Sequence, residues 1–352
     1  MHYTFPITRN ENPKPKPDPN NIGFAKYFTD HMFFMEYDEG KGWHDGRIIP
    51  YGPLSLDPAA TTLHYAQEAF EGMKAYRNPE GKVNLFRPDM NAARMRRTCE
   101  RMCIPEIDED LFVSAVEELV KIDQDWIPEL PGTSLYIRPF IISPELNLAP
   151  VPAKSFWFVI ILTPVTPYHS NVSHILVEDE YIRAAVGGTG FAKCGGNYAG
   201  AMRANIKAAQ VKCDDVLWLD AKEHRYIEEV GTSNAFFVID GKVVTSPLTG
   251  SILPGVTRDS VIQMLEKWGV EVDQRRLPVE EAIEAAKSGR MTEAFASGTA
   301  CVSAPMGLLN YKGENYPING EQVGPISKRL YDTLYGMQTG TVPDDMGWVV
   351  TL

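Results

Sequence analysis

Apolar and polar positions follow two rhythms along this chain, one of period 3.6 and one of period 2. Between Pro88 and Trp126 the spacing predicts two helices, the second carrying Leu111, Val113, Val116, Leu119, Val120 and Ile122 along one stripe. SLYIRPFII and SFWFVIIL come next and read as strands, because β-branched and aromatic residues dominate them. Further on, AGAMRANIKAAQ reads as a helix, and DDVLWLD and AFFVID read as strands, the latter ending in a turn at Asp240-Gly241. VTRDSVIQMLEKWG is an amphipathic helix that stops at a glycine, and VEEAIEAAKSG is another helix. Hairpins mixed with helices argue for an α+β fold rather than a purely parallel doubly wound sheet. The segment ENPKPKPDPN alternates proline, which removes backbone donors and keeps the chain extended, so residues 1–20 read as an arm. No repeat of solenoid type is present.

A chain of 352 residues exceeds one simple core and suggests two domains. TPVTPYHSNV, with two prolines and several polar turn formers, marks the break. The expected division is 1–163 for the first domain, 164–176 for a linker and 177–352 for the second domain. The net charge of -12 repels a phosphate backbone on average and argues against nucleic acid as a partner. The basic cluster of Arg94, Arg96, Arg97 and Arg101 reads as a solvated or paired helix face. No apolar run has the length of a membrane span, and no secretory signal opens the chain. Cysteines stand at 99, 103, 194, 213 and 301, with no Cys-x-x-Cys pair, so neither a metal site nor a disulfide framework is expected. A reducing compartment, the cytoplasm, fits this usage best. No G-x-G-x-x-G follows a strand and no Walker motif occurs, so nicotinamide and nucleotide readings lose their main support.

Candidate chemistry concentrates in a few segments. In GGTGFAKCGGNYAG, glycines surround the single Lys193. Glycine lets backbone approach a ligand closely, and a lysine desolvated in such a place becomes a nucleophile toward an aldehyde. The residues alone favour a surface-loop lysine, since a glycine-rich segment with one lysine is a weak signal. Tyr198 follows near the start of a helix. Glu229, in YIEEVGTSNAFFV, ends an extended stretch just before a turn at Gly231-Thr232. A carboxylate buried there needs a positive partner, whereas a solvated strand-end glutamate needs none. Gly255, Val256 and Thr257 in SILPGVTRDSV sit at a helix start, where free N–H groups favour a phosphate. ASGTACVS is a second small-residue turn with hydroxyls at Ser297 and Thr299, and Arg87 in LFRPDMNAARM offers a bidentate cation. Each of these is by itself an ordinary turn or surface residue.

Taken together and in order, FEGMKAY, LFRPDMN, YIRP, KCGGNYA, EEVGTSN, LPGVTR and SGTAC resemble the branched-chain amino acid aminotransferases, pyridoxal phosphate (PLP) enzymes of fold type IV. The resemblance runs from about Tyr51 to the C-terminus. It implies a small N-terminal α/β domain, a larger C-terminal PLP-binding domain with a barrel-like mixed sheet, and a homodimer with active sites near the subunit interface. It makes Lys193 the Schiff-base lysine and proton shuttle, pairs Glu229 with the pyridine nitrogen and sets Tyr198 on the ring oxygen. Arg87, Val256, Thr257 and Thr299 are implied to hold the phosphate, with Arg183 nearby, and Thr232, Leu253 and Gly255 to complete the cofactor site. Tyr136, Thr299 and Ala300 are implied to meet the substrate α-carboxylate. Tyr65, from the neighbouring subunit, and Arg138 lie where a glutamate side-chain carboxylate goes, Phe70 helps form the apolar pocket, and Thr232 also lines the substrate site.

The implied reaction is reversible transfer of the amino group between L-leucine, L-isoleucine or L-valine and 2-oxoglutarate. Other fold-type-IV enzymes, such as a D-amino acid aminotransferase or an aminodeoxychorismate lyase, share the lysine and glutamate logic. A non-catalytic PLP-binding protein needs neither. One departure stands out. Some animal members carry Cys-x-x-Cys directly after the SGTA turn as a redox control; here the stretch is Cys301-Val302-Ser303-Ala304, so that switch is expected to be absent.

Overall fold

The structure, a computed structural model, describes residues 1–166 and 172–352. Residues 167–171 of the expected linker lie outside the described residues. The chain forms two units, the first comprising Met1–Pro167, Ala192–Gly195 and Gly336–Leu352.

In the first unit, β1 (His31–Asp38), β2 (Gly42–Pro50), β3 (Glu68–Phe70), β4 (Met73–Arg77), β5 (Val83–Phe86), β6 (Ser134–Ile142) and β7 (Ser155–Val165) build one antiparallel sheet. Its order is C-terminal strand Val349–Thr351, β5, β4, β6, β7, β1, β2, with β3 also on β6. Helices α1 (Thr61–Tyr65), α2 (Pro88–Met102) and α3 (Glu109–Ile122) belong to the same unit. Proline opens α2, where its missing N–H costs nothing, and the Asp108 side chain caps α3 by accepting from the Leu111 N–H at 2.9 Å. Phe156, Phe158, Ile160 and Leu162 of β7 pack with Met95 and Cys99 of α2 and with Phe112, Val116 and Leu119 of α3. The opposite face of β7 is covered too, with Val159 against Met32 and Phe34 of β1. Both faces are buried, so the strand reads as an unbroken apolar run rather than an alternation. The stripe along α3 differs from the sequence expectation. Phe112 and Ala115 are core residues, whereas Leu111, Val113 and Ile122 are only partly buried at its margins. The aromatic ring of Phe112, packed on Phe158, decides the rotation of the helix.

The second unit comprises Tyr168–Phe191 and Gly196–Tyr335. Its strands are β8 (Ser173–Glu178), β9 (Asp215–Leu219), β10 (Tyr226–Val230), β11 (Ser233–Ile239), β12 (Lys242–Thr245), β13 (Val272–Gln274), β14 (Leu277–Pro278), β15 (Met291–Ser297), β16 (Ala304–Tyr311) and β17 (Glu314–Pro317). Neighbours run β11, β15, β16, β8, β9, β10, and β10 pairs back onto β11, which closes a six-membered mixed barrel. The β8–β9 and β8–β16 pairings are parallel. Helices α4 (Gly196–Ala199), α5 (Met202–Gln210), α6 (Val256–Lys267) and α7 (Val279–Lys287) follow, and the chain passes back to the first unit within α8 (Pro325–Thr339). Alternation divides β8 and β9 cleanly. Ile175, Val177, Leu217 and Leu219 share a core with α7, while Leu176, Val216 and Trp218 pack with Ala204 and Ala208 of α5. The β11–β12 hairpin turns on Asp240 and Gly241, both in the left-handed region at φ 50° and 80°, as a two-residue turn requires.

The unit boundaries differ from the linear division of the sequence. β7 runs to Val165 and β8 starts at Ser173, both inside the segment 164–176. Residues 192–195 and 336–352, which a linear reading gives to the second domain, belong to the first unit. Hydrogen bonds explain this. The backbone of Lys193 is bonded to Thr98 and Phe70, and the last strand pairs with β5.

Candidate active site

The first unit brings together Lys193, Phe70, Tyr136 and Arg138. The backbone of Lys193 is held at both ends: its N–H donates to Thr98 Oγ1 at 3.0 Å, and its carbonyl accepts from the Phe70 N–H at 3.0 Å. The Gly195 N–H donates to the Glu68 carboxylate. The Lys193 ammonium nitrogen lies 4.8 Å from the centre of the Phe70 ring. Burial is the main reason its pKa falls from 10.5 to about 8; the Arg94 charge lowers it further, Glu71 and Tyr136 oppose the fall, and Arg138 adds to it. An amine of this kind is free enough near neutral pH to attack a carbonyl carbon or take a proton.

Tyr136 and Arg138 stand two residues apart on β6 and so share a face. Arg138 Nη2 donates to the Tyr136 hydroxyl at 3.0 Å, and its guanidinium stacks 4.7 Å from the Phe70 ring. Its Nε is buried with no hydrogen-bond partner among the described residues. The hydroxyl of Tyr136 needs Gly72 opposite it, since a Cβ there would lie 2.1 Å from that oxygen. Arg87, the residue before α2, adopts φ 49° and ψ 49°, donates its N–H to the Trp348 carbonyl at 2.8 Å and stacks over the Trp348 ring at 4.9 Å. Tyr65 sits at the end of α1, half exposed, with its hydroxyl donating to the Leu148 carbonyl of its own chain.

In the second unit, Arg183, Tyr198, Glu229, Thr232 and Leu253 line one pocket together with Asn197 and Gly231. Glu229 is buried at the end of β10. One oxygen accepts from Asn234 Nδ2 at 3.0 Å and from the Leu253 N–H at 3.1 Å, and the other is ion-paired with Arg183 Nε. The positive partner that a buried Glu229 requires is therefore supplied by the protein. Arg183, which the family resemblance places near the phosphate, stands beside Glu229, tied to the carbonyls of Gly190 and Ser251. Gly231 turns the β10–β11 hairpin at φ 53°, and a Cβ there would lie 2.0 Å from the Asp215 carboxylate. Thr189 and Asn197 exchange hydrogen bonds of 2.7 and 2.8 Å, fastening the glycine-rich segment to α4, which carries Tyr198.

Gly255 is the residue before α6, and no side chain caps that helix; Val256 and Thr257 form its buried first turn. Uncapped N–H groups at a buried helix start suit an anion. Thr299 and Ala300 lie in the turn between β15 and β16, where the Cys301 and Val302 N–H groups both donate to the Gly298 carbonyl. Cys301 itself is buried. Taken unit by unit, the residues present suit parts of PLP: in the first, a lysine of lowered pKa for its aldehyde; in the second, a buried carboxylate for its ring nitrogen and an uncapped helix start for its phosphate. Among the described residues no group of three or more His, Cys, Asp or Glu side chains is placed to hold a metal, and no helix is long and apolar enough to cross a membrane.

Several residues around the lysine carry no signal in the sequence reading. Glu71 lies inside FEGMKAY, and Asn91, Arg94 and Thr98 recur along α2 at spacings of three and four; that helical period, set against a carboxylate in a motif, was the available clue. In the second unit, Asn234 closes the motif EEVGTSN, whereas Trp348, beside Arg87 in the first, had no clue.

The model of the class IV aminotransferase family matches residues 68–305. A branched-chain-amino-acid transaminase of Bacillus subtilis (strain 168) is 49% identical over 341 residues, covering 96% of both chains. The crystal structure of the Escherichia coli branched-chain amino acid aminotransferase superposes with a TM-score of 0.76 at 25% identity, covering 91% of this chain and 98% of that one. A branched-chain amino acid aminotransferase from Thermobaculum terrenum, solved in its PLP form, has the same fold at a TM-score of 0.73 and 22% identity, covering 91% of this chain and 97% of that one. Seven motifs in order, a lysine of lowered pKa and a closed barrel thus meet a nearly full-length match, and the chain belongs to the class IV aminotransferases, in their branched-chain amino acid branch.

Proposed function

We propose that this aminotransferase moves the α-amino group between L-leucine, L-isoleucine or L-valine and 2-oxoglutarate, with PLP attached at Lys193. The observation that carries the reading is the surroundings of Lys193. A lysine held near pKa 8 shares the Phe70 ring with Arg138, so a nucleophile, an apolar wall and a cation occur together. Such a site suits an aliphatic side chain in one half of the cycle and a distal carboxylate in the other. Arg138 is already stacked on the Phe70 and Tyr136 rings, which limits the cost of leaving it without a carboxylate when leucine binds.

When bound, PLP supplies the electron sink that makes the substrate's Cα–H acidic. The protein's residues do the rest. Lys193 Nζ takes the Cα proton and delivers it again, which its lowered pKa allows near neutrality. Glu229, oriented by Asn234 and the Leu253 N–H, holds the proton on the ring nitrogen, with Arg183 as its neighbour. Tyr198 bonds the ring oxygen, Thr232 and Leu253 wall the pocket, and Arg87 with Gly255, Val256, Thr257 and Thr299 holds the phosphate. Tyr136, Thr299 and Ala300 receive the α-carboxylate, Phe70 the aliphatic side chain, and Arg138 the distal carboxylate. The protein works as a homodimer in which Tyr65 serves the neighbouring subunit's site, and in the cytoplasm, where its five free cysteines stay reduced.

The test is steady-state activity across a panel of L- and D-amino acids with 2-oxoglutarate as acceptor. L-leucine, L-isoleucine and L-valine should be the fastest donors. A preference for D-amino acids, or no turnover with aliphatic L-amino acids, would overturn the reading.

A further inference from the structure

α2 carries Asn91, Arg94 and Thr98 on one face, and all three point at the neighbourhood of Lys193. Glu71, fully buried, is the reason. Its Oε1 accepts from Arg94 Nε at 2.7 Å, and its Oε2 accepts from Arg94 Nη2 at 2.8 Å, Asn91 Nδ2 at 2.8 Å and the Gly72 N–H at 3.1 Å. Arg94 thus spans both oxygens, while the Asn91 amide and the Gly72 N–H add to Oε2. The same two pieces of chain hold the backbone of Lys193. Thr98, one turn beyond Arg94, accepts from its N–H, and Phe70, the residue before Glu71, donates to its carbonyl.

We propose that Glu71 and Arg94 are positioning residues for Lys193: the guanidinium of Arg94 closes both oxygens of Glu71, so that this buried anion cannot capture the lysine amine as an ion pair and hold it protonated. A buried carboxylate beside a lysine otherwise forms such a pair readily, and an ammonium so held is neither a nucleophile nor a base. Among the described residues, the charged and titratable groups of its unit that act most on Lys193 are Arg94 of α2, Glu71 between β3 and β4, and Tyr136 and Arg138 of β6. Arg94 and Arg138 disfavour its proton, while Glu71 and Tyr136 favour it. Burial, the largest influence, pushes the carboxyl of Glu71 up, but Arg94 together with Lys193 and Asn91 outweighs it and holds the group below the usual carboxylate range.

The inference rests on the role given to Lys193 above, but its test does not require amino transfer. The cofactor-free protein is labelled with trace acetic anhydride across the neutral and alkaline range. The acetylated peptide containing Lys193 is then quantified against a free amine standard by mass spectrometry, which yields the pKa of that one amine. Arg94→Gln should raise it and Glu71→Gln should lower it, each by about one unit or more, a roughly tenfold change in free amine near neutrality. Glu71→Gln/Arg94→Gln, in which two amides replace two charges, should return close to wild type, and Arg94→Lys should stay nearer to wild type than Arg94→Gln. A merely structural pair would move both single variants in the same direction, and that result, or no shift in either, overturns the proposal. Should Arg94→Gln fail to fold, Glu71→Gln decides alone, because it keeps the shape of the side chain: a fall in pKa supports the proposal, and no change or a rise overturns it. Absence of transaminase activity in the wild type would defeat the functional reading without touching this result.

Discussion

Under the proposed function, Arg138 is the residue whose chemistry would separate the two substrates. Its guanidinium contacts Tyr136 and stacks on Phe70, so it can serve a distal carboxylate while leucine needs only the apolar wall. Removing a charge-assisted bond costs about 1.5–3 kcal/mol, or roughly ten- to hundredfold at about 1.4 kcal/mol per decade. Arg138→Met should therefore cut the half-reaction rate constant over dissociation constant by that much for glutamate, and far less for leucine, because methionine keeps the volume. Equal losses for both amino acids would assign Arg138 to the α-carboxylate or to the fold. Lys193 makes a second prediction, about stability. Its pKa in the folded chain, about 8, lies below the ordinary 10.5, so between these values the unfolded chain binds more protons and stability rises with pH. In the cofactor-free protein, urea denaturation midpoints should show that rise, and Lys193→Met should lack it. Superimposable pH profiles would contradict the lowered pKa. At this scale the glycines around Lys193 and the turn after Glu229 drew attention to both, but only the ordered motifs gave them roles. The sequence could not reveal Arg94, because an arginine among Arg94, Arg96, Arg97 and Arg101 is spelled alike wherever it points. Arg96 pairs with Glu109 at the surface, and Arg94 is sealed against Glu71.

Among the elements, the C-terminal strand would matter out of proportion to its three residues if Arg87 holds the phosphate as proposed. Val349–Thr351 pairs with β5, and Trp348 just before it both accepts from the Arg87 N–H and carries the Arg87 guanidinium on its ring. A cation–π contact of this kind is worth about 0.5–2 kcal/mol. Truncation after Gly347 should therefore weaken PLP binding by a few-fold up to about thirtyfold, read by quenching of tryptophan fluorescence on titration with PLP. Unchanged affinity would remove the C-terminus from the account. This element was invisible in the sequence, since three residues carry no period and their partner β5 lies far back in the chain. The hairpin at Asp240-Gly241 was visible, because two left-handed residues in succession demand that chemistry. The rotation of α3 was only half visible: the stripe Val116, Leu119 and Val120 held, but Phe112 and Ala115 won over Leu111 and Val113 because the sheet decides which flank is buried.

For the whole molecule, the two-unit organisation and the barrel came from different sources. Alternating strands and helices gave the mixed class, and the motif order gave the barrel, which closes where β10 meets β11. What no linear reading contained is that Ala192–Gly195 leaves the second unit to join the first, because those four residues are fixed by hydrogen bonds to Thr98, Phe70 and Glu68 rather than by their neighbours in sequence. The consequence is chemical, since this excursion sets Lys193 beside Phe70 and places it in the fields of Arg94, Glu71 and Arg138. The central claim is that this lysine, and none of the others, carries the cofactor. The most direct measurement is to load the protein with PLP, reduce it with borohydride and map the peptides by mass spectrometry. The account predicts the cofactor's added mass on the peptide containing Lys193 and its absence in Lys193→Ala. Added mass on a different lysine in the wild-type protein, or none on any, would contradict it.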